Sequence, residues 1–261
     1  MTAKRRIGIW LIGCKGGVAI ATIVGLVALK KGLASSTGLV SQLPEFARLG
    51  LASWDDFVIG GHEIRGLPLC REAYRVTTEM RAASTDIIDQ CRDELQQIEA
   101  RIRPGTVWNV GATIASLADV DIPRRQSPRQ IVDRLKEDLQ HFRESERLDH
   151  VIVVNVASTE PPAQAARSPH AAGPTSIVPL PASWAELEPE LKREDCPLPA
   201  SSLYAIAALD VGDSYINFTP SLGAAPAAID ELACLRGSRH AGCVHRFWRS
   251  RAREYRRRLY E

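Results

Sequence analysis

The sequence predicts an α/β fold in which a mostly parallel sheet carries helices on both faces. Short aliphatic runs of strand length alternate with longer segments whose apolar residues recur at helical spacing. Glycine-rich or polar residues follow several of these strands. The chain has 261 residues, 45% of them hydrophobic and 25% charged, which is the balance of a globular protein. Composition therefore excludes a fibrous or wholly disordered chain.

The first unit is a strand, a glycine turn and a helix. Residues 7–12 are apolar throughout, as a strand buried on both faces requires. The turn at residues 13–17 leads to a helix over residues 18–29, which ends at two lysines and a glycine. A helix that follows such a turn presents free backbone N–H groups and its positive dipole end to a phosphate. The pattern predicts a pyrophosphate site, and the alternative is a glycine turn without a ligand.

The following elements continue the alternation of strands and helices. Strands are predicted at residues 56–59, 106–110, 151–154 and 215–218, and helices at 69–80, 86–102, from 128 onward, 203–209 and 225–235. Residues 161–181 are rich in Ala, Pro and Ser and predict a long exposed loop. In a parallel sheet, ligands bind beyond the carboxyl ends of the strands. The polar segments 13–17, 62–63, 155–160 and 217–221 are therefore expected to line one crevice.

Charge and cysteine content narrow the class of protein. The net charge of +2 indicates neither a nucleic-acid binder nor a membrane-surface protein. The six cysteines form no CxxC pair and no Cys/His cluster of zinc-site spacing, so we predict no metal site. The apolar run after the basic residues 4–6 is too short for a signal peptide or a membrane span. These features favour a cytoplasmic protein with reduced thiols and no membrane anchor.

Four segments together resemble the bacterial form of myo-inositol-phosphate synthase. They are IWLIGCKGGVA at 9–19, DDFVIGGHEI at 55–64, VNVASTE at 154–160 and INFTPSLG at 216–223. The resemblance runs from about residue 7 to about residue 243 and implies a Rossmann-type, doubly wound NAD-binding domain over residues 1–243. It implies an NAD-dependent isomerase of inositol and phospholipid biosynthesis that converts glucose 6-phosphate to inositol 3-phosphate. It also implies a homo-oligomer.

Two other functions stay open at this stage. One is an NAD(P)-dependent dehydrogenase of similar fold, and the other is a non-catalytic NAD-binding module. The sequence leaves the choice between NAD and NADP open, although the resemblance implies NAD.

The resemblance also implies which residues contact the cofactor. The pyrophosphate turn comprises Gly13, Lys15, Gly16, Gly17, Val18 and Ala19. The strand-end groups near the ribose and nicotinamide are Asn155, Ala157, Ser158, Thr159, Asn217, Thr219 and Ser221. Glu63 is the candidate acceptor for the adenosine ribose, although it lies 50 positions after Gly13 and not the usual ~20 after the motif. The alternatives are a solvated Lys15 and a solvated loop acid at Glu63. No catalytic residue and no metal ligand is assigned.

The last eighteen residues depart from the family pattern. Residues 244–261 contain seven arginines, two glutamates and no lysine. Family members continue instead with a region whose lysines hold the sugar phosphate and the developing oxyanion. We therefore expect a truncated chain, produced by a reading-frame change, whose activity is in question. An alternative from another class of function is a basic, aromatic tail that binds RNA or anionic lipid. A frayed tail without a ligand is the favoured interpretation, so nucleic acid is not an expected partner.

Overall fold

The computed structural model describes residues 5–80, 84–123, 125–161 and 180–242. In these residues six parallel strands form one sheet in the order β3-β2-β1-β4-β5-β6. The strands are β1 (Ile7–Ile12), β2 (Phe57–Glu63), β3 (Ile102–Pro104), β4 (His150–Asn155), β5 (Ser214–Asn217) and β6 (His240–Gly242). The order is that of a Rossmann fold, with its topological switch point between β1 and β4. The predicted fold class is confirmed.

Helices cover both faces of the sheet. In chain order, the described helices are α1 (Gly17–Lys30), α2 (Leu69–Met80), α3 (Thr85–Gln90), α4 (Arg92–Glu99), α5 (Ala112–Ala115), α6 (Pro128–Ser145), α7 (Trp184–Glu190), α8 (Ala200–Asp210) and α9 (Ala227–Arg236). One apolar core joins the sheet to α1, α2, α3 and α4, and a second joins it to α6, α7, α8 and α9. Successive residues of β1 point to opposite faces of the sheet, so Trp10 lies in the second core and Leu11 in the first.

Strand register brings the carboxyl ends of the central strands to one edge. Ile12 lies opposite His62 on one side and opposite Asn155 on the other. Asn155 in turn lies opposite Asn217 of β5. The turn after β1 therefore shares this edge with the ends of β2, β4 and β5, which is where a parallel sheet binds its ligand.

The predicted third strand, at residues 106–110, is wrong. The third strand is residues 102–104, because pairing with β2 ends where the Gly105 N–H donates to the carbonyl of Glu63 (2.8 Å). Residues 106–110 instead turn toward α8, where the Thr106 N–H donates to the Tyr204 hydroxyl (3.0 Å). In this loop Val110 is buried and Val107 and Trp108 are partly buried, a pattern that alternation and hydrophobicity do not distinguish from a strand.

The helix predicted over residues 86–102 is two helices. They meet at Cys91, whose N–H donates to carbonyls of α3 and whose backbone leaves helical geometry (φ −98°, ψ 4°). The apolar spacing continues across this junction, so the break has no signature in the pattern. Strand β2 also extends to Glu63, beyond the predicted end at residue 59.

The remaining differences concern short elements that were not predicted and predicted segments that lie outside the described residues. Helices α5 and α7 and strand β6 were not predicted. Most of the predicted loop, residues 162–179, and the basic tail lie outside the described residues. None of the helices that the structure describes has the length and apolar character to cross a bilayer. Within the described ranges, no three His, Cys, Asp or Glu side chains are grouped so as to hold a metal ion.

Candidate functional site

The glycine turn leaves the start of α1 open to an anion. Gly13 has a left-handed backbone (φ +78°), and its N–H donates to the carbonyl of His62 (3.0 Å). No side chain caps α1 at Gly16, and no acidic residue lies in its first turn. Val18 in that turn is 53% exposed. Unsatisfied N–H groups at a positive helix end are the donors that a pyrophosphate requires, so the turn fits NAD.

The loop after β4 packs directly against this turn. A Cβ atom on Gly13 would lie 2.8 Å from the Cα atom of Ala157, closer than real Cβ atoms approach backbone. The Val156 N–H donates to the carbonyl of Ile12 (3.1 Å) and fixes the start of the loop. Two of the predicted cofactor segments are therefore in contact, and only glycine permits their approach.

Lys15 is buried and paired. Its side chain is 4% exposed, and its Nζ donates to Glu99 Oε1 (2.8 Å) and to the carbonyl of Arg65 (3.3 Å). The other oxygen of Glu99 accepts the N–H of Leu69, at the start of α2. The alternative of a solvated Lys15 is wrong. The side chain fastens the turn to α2 and α4, and a direct contact with the cofactor stays a prediction.

Glu63 is also buried, so the alternative of a solvated loop acid is wrong. It ends β2, the position of the ribose-binding acid in Rossmann folds. Its distance along the chain is long because three short 3₁₀ helices lie between α1 and β2: Val40–Gln42, Pro44–Phe46 and Trp54–Asp56.

The carboxylate of Glu63 has four donors around it. Its Oε2 accepts the N–H of Lys15 (2.7 Å) and Nη2 of Arg65 (3.4 Å). Its Oε1 accepts the N–H groups of Ile64 (2.8 Å) and Arg65 (3.3 Å). A carboxylate has about four lone-pair positions, so these donors occupy the group. Glu63 holds the glycine turn against the end of β2, and ribose binding by it stays a prediction.

A buried amide and hydroxyl network joins the ends of β4 and β5. Asn217 accepts at Oδ1 from Asn155 Nδ2 (3.2 Å) and from the Thr219 hydroxyl (2.8 Å). Its Nδ2 donates to the carbonyl of Ser221 (2.7 Å). The Oδ1 atom of Asn155 accepts the N–H of Ala157 (3.2 Å), which links the network to the loop beside Gly13. These predicted residues therefore shape the two loops around the crevice.

The outer part of the β4 loop faces solvent. Ser158 and Thr159 are exposed, next to the buried network. The following residue, Glu160, anchors the loop: its N–H donates to the Ser221 hydroxyl (3.0 Å), and its Oε1 accepts the Ser201 N–H (2.8 Å). Burial raises the pKa of Glu160 above its usual value. Its anchoring role, like that of Glu99, joins residues far apart in sequence and was not predicted.

His62 lies on the face of β2 opposite to that of Glu63, where its side chain is buried and held in one tautomer. The indole Nε1–H of Trp10 donates to His62 Nδ1 (2.8 Å), so the imidazole proton is assigned to Nε2, which lies 3.0 Å from Asp138 Oδ2. Burial lowers the pKa of His62 below its usual value, although Asp138 opposes this shift. The His62 side chain packs between Trp10 of β1 and Asp138 of α6 and does not face the glycine turn.

The neutral state of His62 makes stability depend on pH. The unfolded chain protonates this histidine below about pH 6.5, whereas the folded chain resists protonation. The free energy of unfolding is therefore expected to fall as pH drops below that value, by up to about 1.4 kcal/mol per pH unit from this group. Urea denaturation of the unmodified chain and of His62→Leu measures the difference in slope. Equal slopes for the two proteins would contradict the assignment of a neutral, buried His62.

Comparison with known proteins gives the family of this fold and site. The family model for myo-inositol-1-phosphate synthase, a model of an NAD-binding domain, matches residues 7–246. Inositol-3-phosphate synthase 1 of Bacteroides thetaiotaomicron is 26% identical over 169 residues, covering 60% of this chain and 38% of that protein. Inositol-3-phosphate synthase of Spirodela polyrhiza is 24% identical over 267 residues, covering 91% of this chain and 48% of the relative.

A solved structure shares the fold. The crystal structure of inositol-3-phosphate synthase from Caenorhabditis elegans matches with a TM-score of 0.72 at 18% identity, covering 91% of this chain and 48% of that one. The chain thus spans about half the length, or less, of the relatives it matches. The match to the family model covers both the glycine turn and the strand-end network. The chain therefore belongs to the myo-inositol-1-phosphate synthase family and carries its NAD-binding domain.

Proposed function

We propose that this chain provides the NAD-binding part of an inositol-3-phosphate synthase, which isomerises glucose 6-phosphate to inositol 3-phosphate. The observation that carries the proposal is the family match over residues 7–246, which includes an uncapped start of α1 at the carboxyl edge of the sheet. We further propose a cytoplasmic location and a homo-oligomeric assembly, as expected of this family.

The residues around the crevice have distinct tasks in this proposal. When bound, NAD supplies reversible hydride transfer, so that a sugar carbon is oxidised and later reduced within one turnover. The N–H groups at the start of α1 bind the pyrophosphate, while Lys15 and Glu63 hold the turn that presents them. The Asn155 and Asn217 network fixes the loops that flank the nicotinamide end. These groups bind and orient, and no proton transfer is assigned to them.

An assay with glucose 6-phosphate and NAD tests the proposed reaction. Inositol phosphate and NADH are followed together in the same sample, because the isomerisation regenerates its cofactor. Formation of inositol phosphate without net NADH is the expected result for the active assembly. Net accumulation of NADH would instead indicate a dehydrogenase. Binding of NAD without turnover would indicate that this chain acts as a cofactor-binding module.

A further inference from the structure

The end of β2 carries a cation that two carboxylates hold. Arg65 lies two residues after Glu63, and its guanidinium is within 3.4 Å of both Glu63 Oε2 and Glu72 Oε2. Both carboxylates are almost fully buried, whereas the Arg65 side chain is 24% exposed. An arginine at this place in a Rossmann fold is the group that accommodates the 2′-phosphate of NADP. Here that guanidinium already has two acidic partners.

The charge around Arg65 is negative in sum. Glu72 also pairs with Arg75 (2.9 Å), which in turn pairs with Glu79 (2.6 Å). Arg75 lowers the pKa of Glu72, so this buried carboxylate is ionised at neutral pH. Lys15 is paired with Glu99. In this connected group of described residues, four carboxylates meet three cations, so an incoming phosphate dianion encounters repulsion.

We propose that Glu63 and Glu72, by holding Arg65 between them, make this site selective for NAD over NADP. The inference rests on the cofactor role proposed above. The unmodified ribose of NAD brings no charge to the end of β2. The 2′-phosphate of NADP has to displace a carboxylate from Arg65 and then lies beside both acids. Glu72 thereby controls cofactor choice through Arg65.

The contact distances indicate which substitution releases Arg65. Its contacts with Glu63 and Glu72 are 3.4 Å long, at the limit of hydrogen bonding, so charge attraction provides most of the restraint. Glu63 also holds the glycine turn and is unsuitable for substitution. Glu72→Gln removes one negative charge and keeps an oxygen for Arg75. This change removes one of the two carboxylates that hold the guanidinium and leaves the contact between Glu63 and the glycine turn in place.

Calorimetric titration of NAD and NADP into the full chain tests the proposal. For Glu72→Gln, the ratio of Kd for NADP to Kd for NAD is expected to fall about tenfold, because a charge-assisted contact to phosphate becomes available. The matched control is Glu79→Gln, the same change on α2 at the other acidic partner of Arg75. It is expected to leave the ratio unchanged within about twofold, because Glu79 makes no ion pair with Arg65.

A double variant tests whether Arg65 carries the effect of Glu72. In the Glu72→Gln background, Arg65→Met is expected to remove the gain for NADP, because the gain depends on the guanidinium. A gain for NADP that persists in this double variant would show that Arg65 is not the group that binds the phosphate and would overturn the inference. An unchanged ratio in folded Glu72→Gln, with NAD binding intact, would overturn it as well. Absence of NAD binding by the unmodified chain would instead contradict the proposed function on which the inference rests.

Discussion

Gly13→Ala is expected to destabilise the fold by about 2–4 kcal/mol and to weaken NAD binding at least about 30-fold. Gly13 has a φ of +78°, where an L side chain is strained. The new Cβ would also lie 2.8 Å from the Cα atom of Ala157, and backbone on both sides has little room to move. The turn and the β4 loop then separate, which displaces the N–H groups offered to the pyrophosphate. Urea denaturation and NAD calorimetry measure the two losses.

A second glycine, in the helix that follows the turn, provides a matched control. Gly25 lies inside α1, and a Cβ atom there meets nothing within 4 Å. Gly25→Ala is expected to keep NAD affinity unchanged and to stabilise the chain by up to about 1 kcal/mol, because alanine favours the helix. A Gly13→Ala variant as stable and as tightly NAD-binding as Gly25→Ala would contradict the described packing of the turn.

Asn217→Leu is expected to lower the free energy of unfolding by about 3–5 kcal/mol. The amide of Asn217 is buried and pairs with Asn155, Thr219 and the carbonyl of Ser221. Leucine is similar in size but leaves these partners unsatisfied in a region that water does not reach. The β4 and β5 loops lose their connection, so NAD binding is expected to weaken with stability. Urea denaturation at neutral pH measures the change.

Gln140→Leu provides the comparison for this substitution. Gln140 is an exposed amide on α6, and the same change there is expected to alter stability by less than about 0.5 kcal/mol. If Asn217→Leu were no more destabilising than Gln140→Leu, the network would not be the connection between β4 and β5 that its geometry indicates.

The fold was predictable where one physical signal dominated. Residues 7–12 and 151–154 are apolar runs of the kind that a doubly covered strand buries, and both lie in the central strands of the sheet. The third strand was misplaced because Val107, Trp108 and Val110 are apolar and at least partly buried although they lie in a loop, while the true strand is three residues long. The strand β6 is equally short, and its three residues carry no alternation to detect.

The site was predictable as a place and only partly as a set of contacts. The glycine turn and the strand-end segments were expected to meet, and Gly13 does contact Ala157. Pairing of charges was not predictable, since Lys15 and Glu99 are 84 positions apart. Lys15 and Glu99 are brought together by the packing of helices around β2. No local sequence pattern encodes that packing. The solvated alternatives for Lys15 and Glu63 failed for the same reason.

The central claim is that α1 begins at a pyrophosphate site, and a crystal structure with NAD bound tests it most directly. Pyrophosphate oxygens are expected within about 2.7–3.2 Å of the backbone nitrogens of Gly17 and Val18, with the adenosine toward the end of β2 and the nicotinamide toward the loops after β4 and β5. A dinucleotide bound elsewhere on the chain, with the start of α1 left to solvent at saturating NAD, would contradict the account.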